Sequence, residues 1–268
     1  MTLLAAALLG IVQGITEFLP VSSTAHLLLL GRAIGYEDPG GVFTVMIQLG
    51  SIFAVVWLYR AKIISLVSEL ATSREARHFA AAIIVATVPV LLAGALLADY
   101  IQAVLYKSPF VFAWAFIIGG LVMLAVERMN LEPIVVDAER TPLPRALGIG
   151  LCQVLSLVPG VSRSGATIIG GLAMRLDRPA AAEFSFFVAI PTMCAAFAHE
   201  FLEVRHQLTT ERGAEIAVGF VMAFLSSLLI IRPFLGFVRR AGFAPFAWYR
   251  IALGLGLLAS IAAGWVQG

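Results

Sequence analysis

Apolar residues run along this chain in blocks, and the blocks are of two kinds. Six are long and nearly uninterrupted, over 42–59, 80–99, 109–127, 183–202, 214–232 and 244–264. About 20 apolar residues in a helix cross the roughly 30 Å hydrocarbon core of a bilayer, so each run predicts a transmembrane helix. Two further stretches, 3–31 and 146–174, are apolar at both ends and polar in the middle. Each is interrupted by a proline, Pro20 or Pro159, followed by Ser- and Gly-rich sequence. Proline removes a backbone donor and breaks a helix. Unwound backbone at membrane depth is tolerated only where protein or a cavity surrounds it. Both stretches therefore predict re-entrant helix–loop–helix hairpins.

The polar middles are two versions of one pattern, QGITEFLPVSSTAH at 13–26 and QVLSLVPGVSRSGAT at 153–167. Gly10, Gln13 and Gly31 recur as Gly150, Gln153 and Gly171, each 140 residues on, and FTVMI at 43–47 matches FSFFV at 184–188. The chain thus predicts one membrane domain, 1–268, made of repeats at about 1–130 and about 144–268. Each half is a hairpin followed by three spans. Three is odd, so the halves face the membrane in opposite senses. The expected fold is an all-α integral membrane protein built as an inverted repeat.

Composition supports this class. Of 268 residues 60% are hydrophobic and 13% charged, with mean hydropathy +0.97, against about 25% charged in soluble domains. Alternating ten-residue strands are absent, which argues against a barrel. A net charge of +2 gives no basic stripe for nucleic acid. Cys152 and Cys194 lack CxxC or His pairing and read as small buried hydrophobes. The opening MTLLAAALLG lacks a basic n-region and cleavage site, so it reads as mature structure. With the N-terminus outside, the cytoplasmic loops collect 12 Lys and Arg residues; the outer loops collect 4, Arg32, Lys107, Arg205 and Arg212. That asymmetry places both termini outside, with hairpin one entering from the exterior and hairpin two from the cytoplasm.

Ionisable residues at membrane depth mark function. Each hairpin restarts its helix after a hydroxyl cluster, Ser22, Ser23 and Thr24 or Ser162 and Ser164, which supplies N-caps. Helix N-termini favour phosphate, Gly160 and Gly165 allow close backbone approach, and Arg163 adds a planar cation. Gln13 and Glu17 lie four apart on one helix face, and a carboxylate beside an amide oxygen suits Mg²⁺ or Ca²⁺. His26 is an acid–base group for neutral pH. Ser23 is either a nucleophile or a phosphate ligand and cap. Together these point to phosphoryl transfer or diphosphate hydrolysis.

The two blocks resemble the signatures of the undecaprenyl-diphosphate phosphatase family, the bacitracin-resistance type. VMIQLGSI at 45–52, EFSF at 183–186 and PFAWYR at 245–250 extend the resemblance over nearly the whole chain. It implies a divalent-cation-dependent hydrolase that converts undecaprenyl diphosphate to the monophosphate and inorganic phosphate. Such an enzyme recycles the lipid carrier of peptidoglycan synthesis at the bacterial inner membrane. The family's acidic pair falls on Gln13 and Glu17, its Ser and His on Ser23 and His26, and its Ser-Arg pair on Ser162 and Arg163, with Thr167 a turn beyond. Gln13 stands where many members carry Glu, and Ala25 where Gly is usual.

The expected site is therefore Glu17, His26, Ser23 and Arg163 as catalytic residues, with Ser22, Ser162, Arg163, Ser164, Gly165 and Thr167 on phosphate. Metal falls to Gln13 and Glu17. The nucleophile stays open between Ser23, His26 and water. The partners are the polyprenyl diphosphate and the bilayer, without nucleic acid and with room for a homo-oligomer. The site is expected to open to the periplasm or exterior. The competing reading is a polyprenyl-phosphate flippase, which needs the same anion cradle but no base beside a metal. Gln48 is expected as a supporting amide or packing residue, and Glu183 as a helix N-terminal charge. His78, His199 and His206 are expected at the membrane interface, and Arg250 near the cytoplasmic end of the last span, reaching for water.

Overall fold

Proline and the hydroxyl clusters interrupt the two hairpins where the sequence places them. The computed structural model describes residues 2–264 apart from 37, 39–40, 107 and 208–209, so Lys107 of the charge count lies outside the described residues. Hairpin one is α1 (Leu3–Thr16), a break holding Pro20, and α2 (Ser23–Ala33). Then come α3 (Val42–Leu58), α4 (Arg60–Glu69), α5 (Arg74–Tyr100) and α6 (Pro109–Arg128). Hairpin two is α7 (Leu143–Val154), a 3-10 turn, a break holding Pro159, and α8 (Arg163–Ala173). The chain closes with α9 (Arg178–Val204), α10 (Thr210–Ala241) and α11 (Ala244–Ala262). Among the described residues the only β pairing is an isolated bridge between Val135 and Leu176, which fastens the segment between α6 and α7 to the turn after α8.

Among the described residues five helices, α5, α6, α9, α10 and α11, are long and apolar enough to cross a membrane. A sixth span arises if α3 and α4 count as one, bent by 71°. The protein is a multi-pass, all-α membrane protein. The bend follows from Tyr59, Arg60 and Lys62, which end the apolar run; α4 carries exposed Ile64 and Val67. The sequence did not lead us to expect α4. Pro89, Pro191 and Pro233 lie inside α5, α9 and α10 without ending them, since packed neighbours can compensate a lost donor in a membrane helix.

The packing is exchanged between halves. Hairpin one seats α1 chiefly on α10, and hairpin two seats α7 chiefly on α5. Glycines permit both approaches: a Cβ on Gly10 would collide with the Gly219 carbonyl, and one on Gly150 would lie 2.5 Å from the Ala86 carbonyl. Small residues at such crossings let helix backbones meet in a membrane. Helix α6 pairs with α11, and α3 with both α9 and α10. Beneath the first break, buried Phe18 meets Phe186 edge-on at 5.4 Å and fixes the residue next to Glu17.

Glu183 differs from its expectation. It lies past the first turn of α9 and pairs with Lys62 at 3.0 Å, which also reaches Glu139 at 2.6 Å. Cys194 is exposed and Cys152 only half-buried, so they are not core thiols.

Candidate active site

Both breaks end on a serine in a backbone conformation that side chains rarely adopt. Ser22 has φ 69° and Ser162 φ 78°, each directly before its helix. Strain of this kind costs about 1–3 kcal/mol and collects at functional sites. The two caps then differ. Ser162 Oγ accepts from the Gly165 N–H at 3.1 Å, as the sequence suggests, whereas Ser22 makes no side-chain cap bond. The first N–H groups of α2 are thus left without a Ser22 acceptor, next to the opposite hairpin.

Between the breaks lies a buried polar network. The Glu17 carboxylate, 7% exposed, receives three donors: Gln13 Nε2 at 2.8 Å, Ser23 Oγ at 2.7 Å and Arg163 Nη2 at 2.9 Å. A carboxylate only accepts, which fixes the Gln13 amide and leaves its Oε1 buried without a partner. Arg163 also donates to the Ser185 carbonyl at 3.2 Å, and its Nε is buried and unpartnered. Thr167 Oγ1 meets Ser185 Oγ at 2.6 Å. Ser164 Oγ donates to the Leu19 carbonyl at 2.8 Å, tying the start of α8 to the other break. Gln153, 140 residues beyond Gln13, has the same orphaned Oε1 but Leu157 in place of a carboxylate. The charged chemistry is confined to one point where the hairpins meet.

His26 stands apart from this network. Its Nδ1 lies 2.7 Å from the Ser22 carbonyl and its Nε2 2.6 Å from Tyr249 Oη. The acceptor for the Ser23 proton is Glu17, and not His26. The expected site residues are therefore joined directly for Gln13, Glu17, Ser23 and Arg163, and Thr167 joins through Ser185. Ser22, Ser162, Ser164 and Gly165 form the surrounding breaks.

Three residues escaped the sequence reading. Ser185 sits inside the EFSF block, with nothing in its own pattern to separate it from a packing serine. Tyr249 holds His26. Arg250 is the largest correction: it does not reach for water but is 1% exposed at the junction of both hairpins. Its guanidinium donates to the carbonyls of Pro20 at 3.2 Å, Val161 at 2.8 Å, Gly160 at 3.0 Å and Ala115 at 2.9 Å. Gly119 provides the room, since a Cβ there would collide with Arg250 Nη2. An arginine opposite a Gly-Gly pair in α6 was the available signal.

An apolar groove of about 630 Å³ opens between α6, the end of α7 and α8. Trp114, Ile118 and Val122 line one wall and Ala166 and Ile169 another, and among the described residues Arg250 is the only charged one on its surface.

An all-helical, multi-pass membrane protein with one charged site formed by two broken hairpins is the class that fold and site define. Within it, the chain belongs to the family described as bacitracin resistance protein BacA, whose model matches residues 6–256. It is 48% identical over 264 residues to undecaprenyl-diphosphatase 1 of Agrobacterium fabrum, covering 98% of both chains. It is 50% identical over 254 residues to the undecaprenyl-diphosphatase of Phenylobacterium zucineum, covering 94% of this chain and 96% of that one. The Caulobacter vibrioides undecaprenyl-diphosphatase is 46% identical over 252 residues, covering 94% and 95%.

Proposed function

We propose that this protein hydrolyses undecaprenyl diphosphate to undecaprenyl monophosphate and inorganic phosphate, recycling the lipid carrier of the bacterial cell wall. The observation that carries the reading is the Arg163–Glu17–Ser23 chain, buried where the two breaks meet. Arg163 supplies permanent positive charge for phosphoryl oxygens, the start of α2 supplies backbone donors, and Ser23 is a hydroxyl with a proton acceptor in place. Relatives bearing the diphosphatase name across nearly the whole chain support the same reaction.

In the mechanism this geometry supports, Arg163 and the α2 N-terminus orient the terminal phosphate. Ser23 Oγ attacks its phosphorus as Glu17 takes the hydroxyl proton; the bond to the bridging oxygen breaks, and the lipid monophosphate leaves. Water then attacks the phosphoserine, giving its proton to His26 Nε2 as inorganic phosphate departs and Ser23 recovers its proton from Glu17. Burial of Glu17 and Arg163 strengthens these charges by excluding water.

Gln13 and Glu17 fit a hard divalent cation, Mg²⁺ or Ca²⁺, because Gln13 Oε1 is an oxygen without a donor beside a carboxylate. Among the described residues no group of three His, Cys, Asp or Glu side chains could hold a metal, so phosphate and water would complete its shell. When bound, the ion would neutralise charge on the phosphoryl oxygens.

The fold reading that accompanies this function is an inverted repeat, with repeats at about 1–130 and 144–268 and both hairpins re-entrant. The exchanged seating of α1 on α10 and α7 on α5 supports it. The charge asymmetry supports an inner-membrane protein with both termini outside and a site open to the periplasm. The groove beside α8 offers the prenyl tail an apolar path from the second break into lipid.

The test is phosphate release from undecaprenyl diphosphate by detergent-purified protein, with Mg²⁺, with chelator, and in Glu17→Ala and Arg163→Ala variants. Metal-dependent release lost in both variants is expected. Absence of release from folded wild-type protein across chain lengths and metals would overturn the reading.

A further inference from the structure

The mechanism uses His26 but does not explain what keeps it ready. We infer that Tyr249 is a positioning residue that holds His26 in its base form until substrate arrives. The inference rests on the diphosphatase reading above.

The Ser22 carbonyl can only accept, so the proton of the neutral imidazole sits on Nδ1, 2.7 Å away. Nε2 then carries the lone pair, and Tyr249 Oη at 2.6 Å must donate to it. The two rings stack at 11° with centroids 5.7 Å apart, and Phe116 meets the imidazole edge-on at 6.2 Å. Two hydrogen bonds and two ring contacts thus fix both the orientation and the tautomer of His26. Orienting groups of this kind decide whether a histidine can act as a base.

The elements around His26 supply few charges. Helix α11 brings Tyr249 and the Arg250 cation, which acts on the ring; α6 brings only Phe116. On its own hairpin Ser22 contributes a carbonyl, and Glu17 is engaged by Gln13, Ser23 and Arg163. Among the described residues the phenol is the one titratable side chain hydrogen-bonded to the ring. Tyr249 is 46% exposed, so it is free to turn away. An incoming water can replace its hydroxyl as the donor to Nε2, and the freed phenol can donate to the phosphate. Tyr249 and Arg250 are consecutive, so the helix that clamps both breaks also sets the base.

The test is Tyr249→Phe, which keeps the ring stack and removes the hydroxyl, assayed in Mg²⁺ with undecaprenyl diphosphate over a pH series. The expected result is a fall in kcat of about tenfold or more with KM within about twofold. The acid limb of the profile should move to higher pH, because the lost donor favoured unprotonated Nε2. The variant should add nothing to the loss already caused by His26→Gln, since both act on one group. Trp248→Phe, the exposed neighbour, should retain wild-type rates. A Tyr249→Phe enzyme with wild-type kcat and profile, or a loss fully additive with His26→Gln, would overturn the role of Tyr249 while leaving the diphosphatase reading intact. No hydrolysis by folded wild-type protein would overturn both.

Discussion

Ser22 and Ser162 hold the same left-handed φ, at 69° and 78°, one residue before α2 and α8. Only Ser162 gains a cap bond in return. Glycine accepts positive φ without strain, so Ser22→Gly should raise stability by about 0.5–1 kcal/mol. Ser162→Gly should stay within a few tenths of wild type, because the lost cap offsets the relief. Thermal unfolding in detergent checks both.

Arg163 and Glu17 are 11% and 7% exposed and 2.9 Å apart. Removing one leaves the other buried and unpaired, at a cost of about 3–5 kcal/mol. Arg163→Ala and Glu17→Ala should each lower the unfolding temperature sharply. The double variant should recover part of that loss and none of the phosphate release, which separates the pair's structural role from its chemistry.

Gln13→Glu would place a carboxylate where an amide now donates to Glu17 at 2.8 Å. Two like charges at that distance repel unless a proton or a cation lies between them. The variant should therefore need about tenfold less Mg²⁺ for half-maximal activity and be less stable than wild type in chelator. A Mg²⁺ titration of activity and unfolding temperature reads both effects.

Arg250→Lys keeps the charge but loses the planar fork that reaches four carbonyls. The unfolding temperature should fall by about 5 °C or more, and phosphate release should fall with it as the breaks slacken. A lysine variant with wild-type stability would show that the carbonyl clamp is dispensable.

Ala173 lines the groove near the far end of α8, about 15 Å along the helix from Arg163. Ala173→Phe should narrow the path for a long tail without touching the head group. kcat/KM should fall for the undecaprenyl substrate and be unchanged for a farnesyl one.

Much of this was legible in the chain because membrane depth makes polar sequence conspicuous. The positions of Pro20 and Pro159 gave both breaks, while Gly10 and Gly150 were legible only as a recurrence at an offset of 140 and not as close helix crossings. The register between distant helices was hidden. Arg250 lies in the second turn of α11, and hydropathy alone placed it by water. Only the level of the opposing breaks against α11 makes it central. Ser185 and Tyr249 were hidden for the same reason, since their partners Arg163, Thr167 and His26 are on other helices. Pro89, Pro191 and Pro233 show the converse, a local breaking signal overridden by packing.

The exchanged seating of the hairpins also dictates an order of assembly. Helix α1 is made long before α10, yet α10 is its chief partner. During synthesis hairpin one must wait at the membrane, its glutamate without the arginine that pairs with it, until the second half emerges. Cutting the chain between α6 and α7 would not yield two small proteins; each fragment would carry a hairpin whose seat belongs to the other.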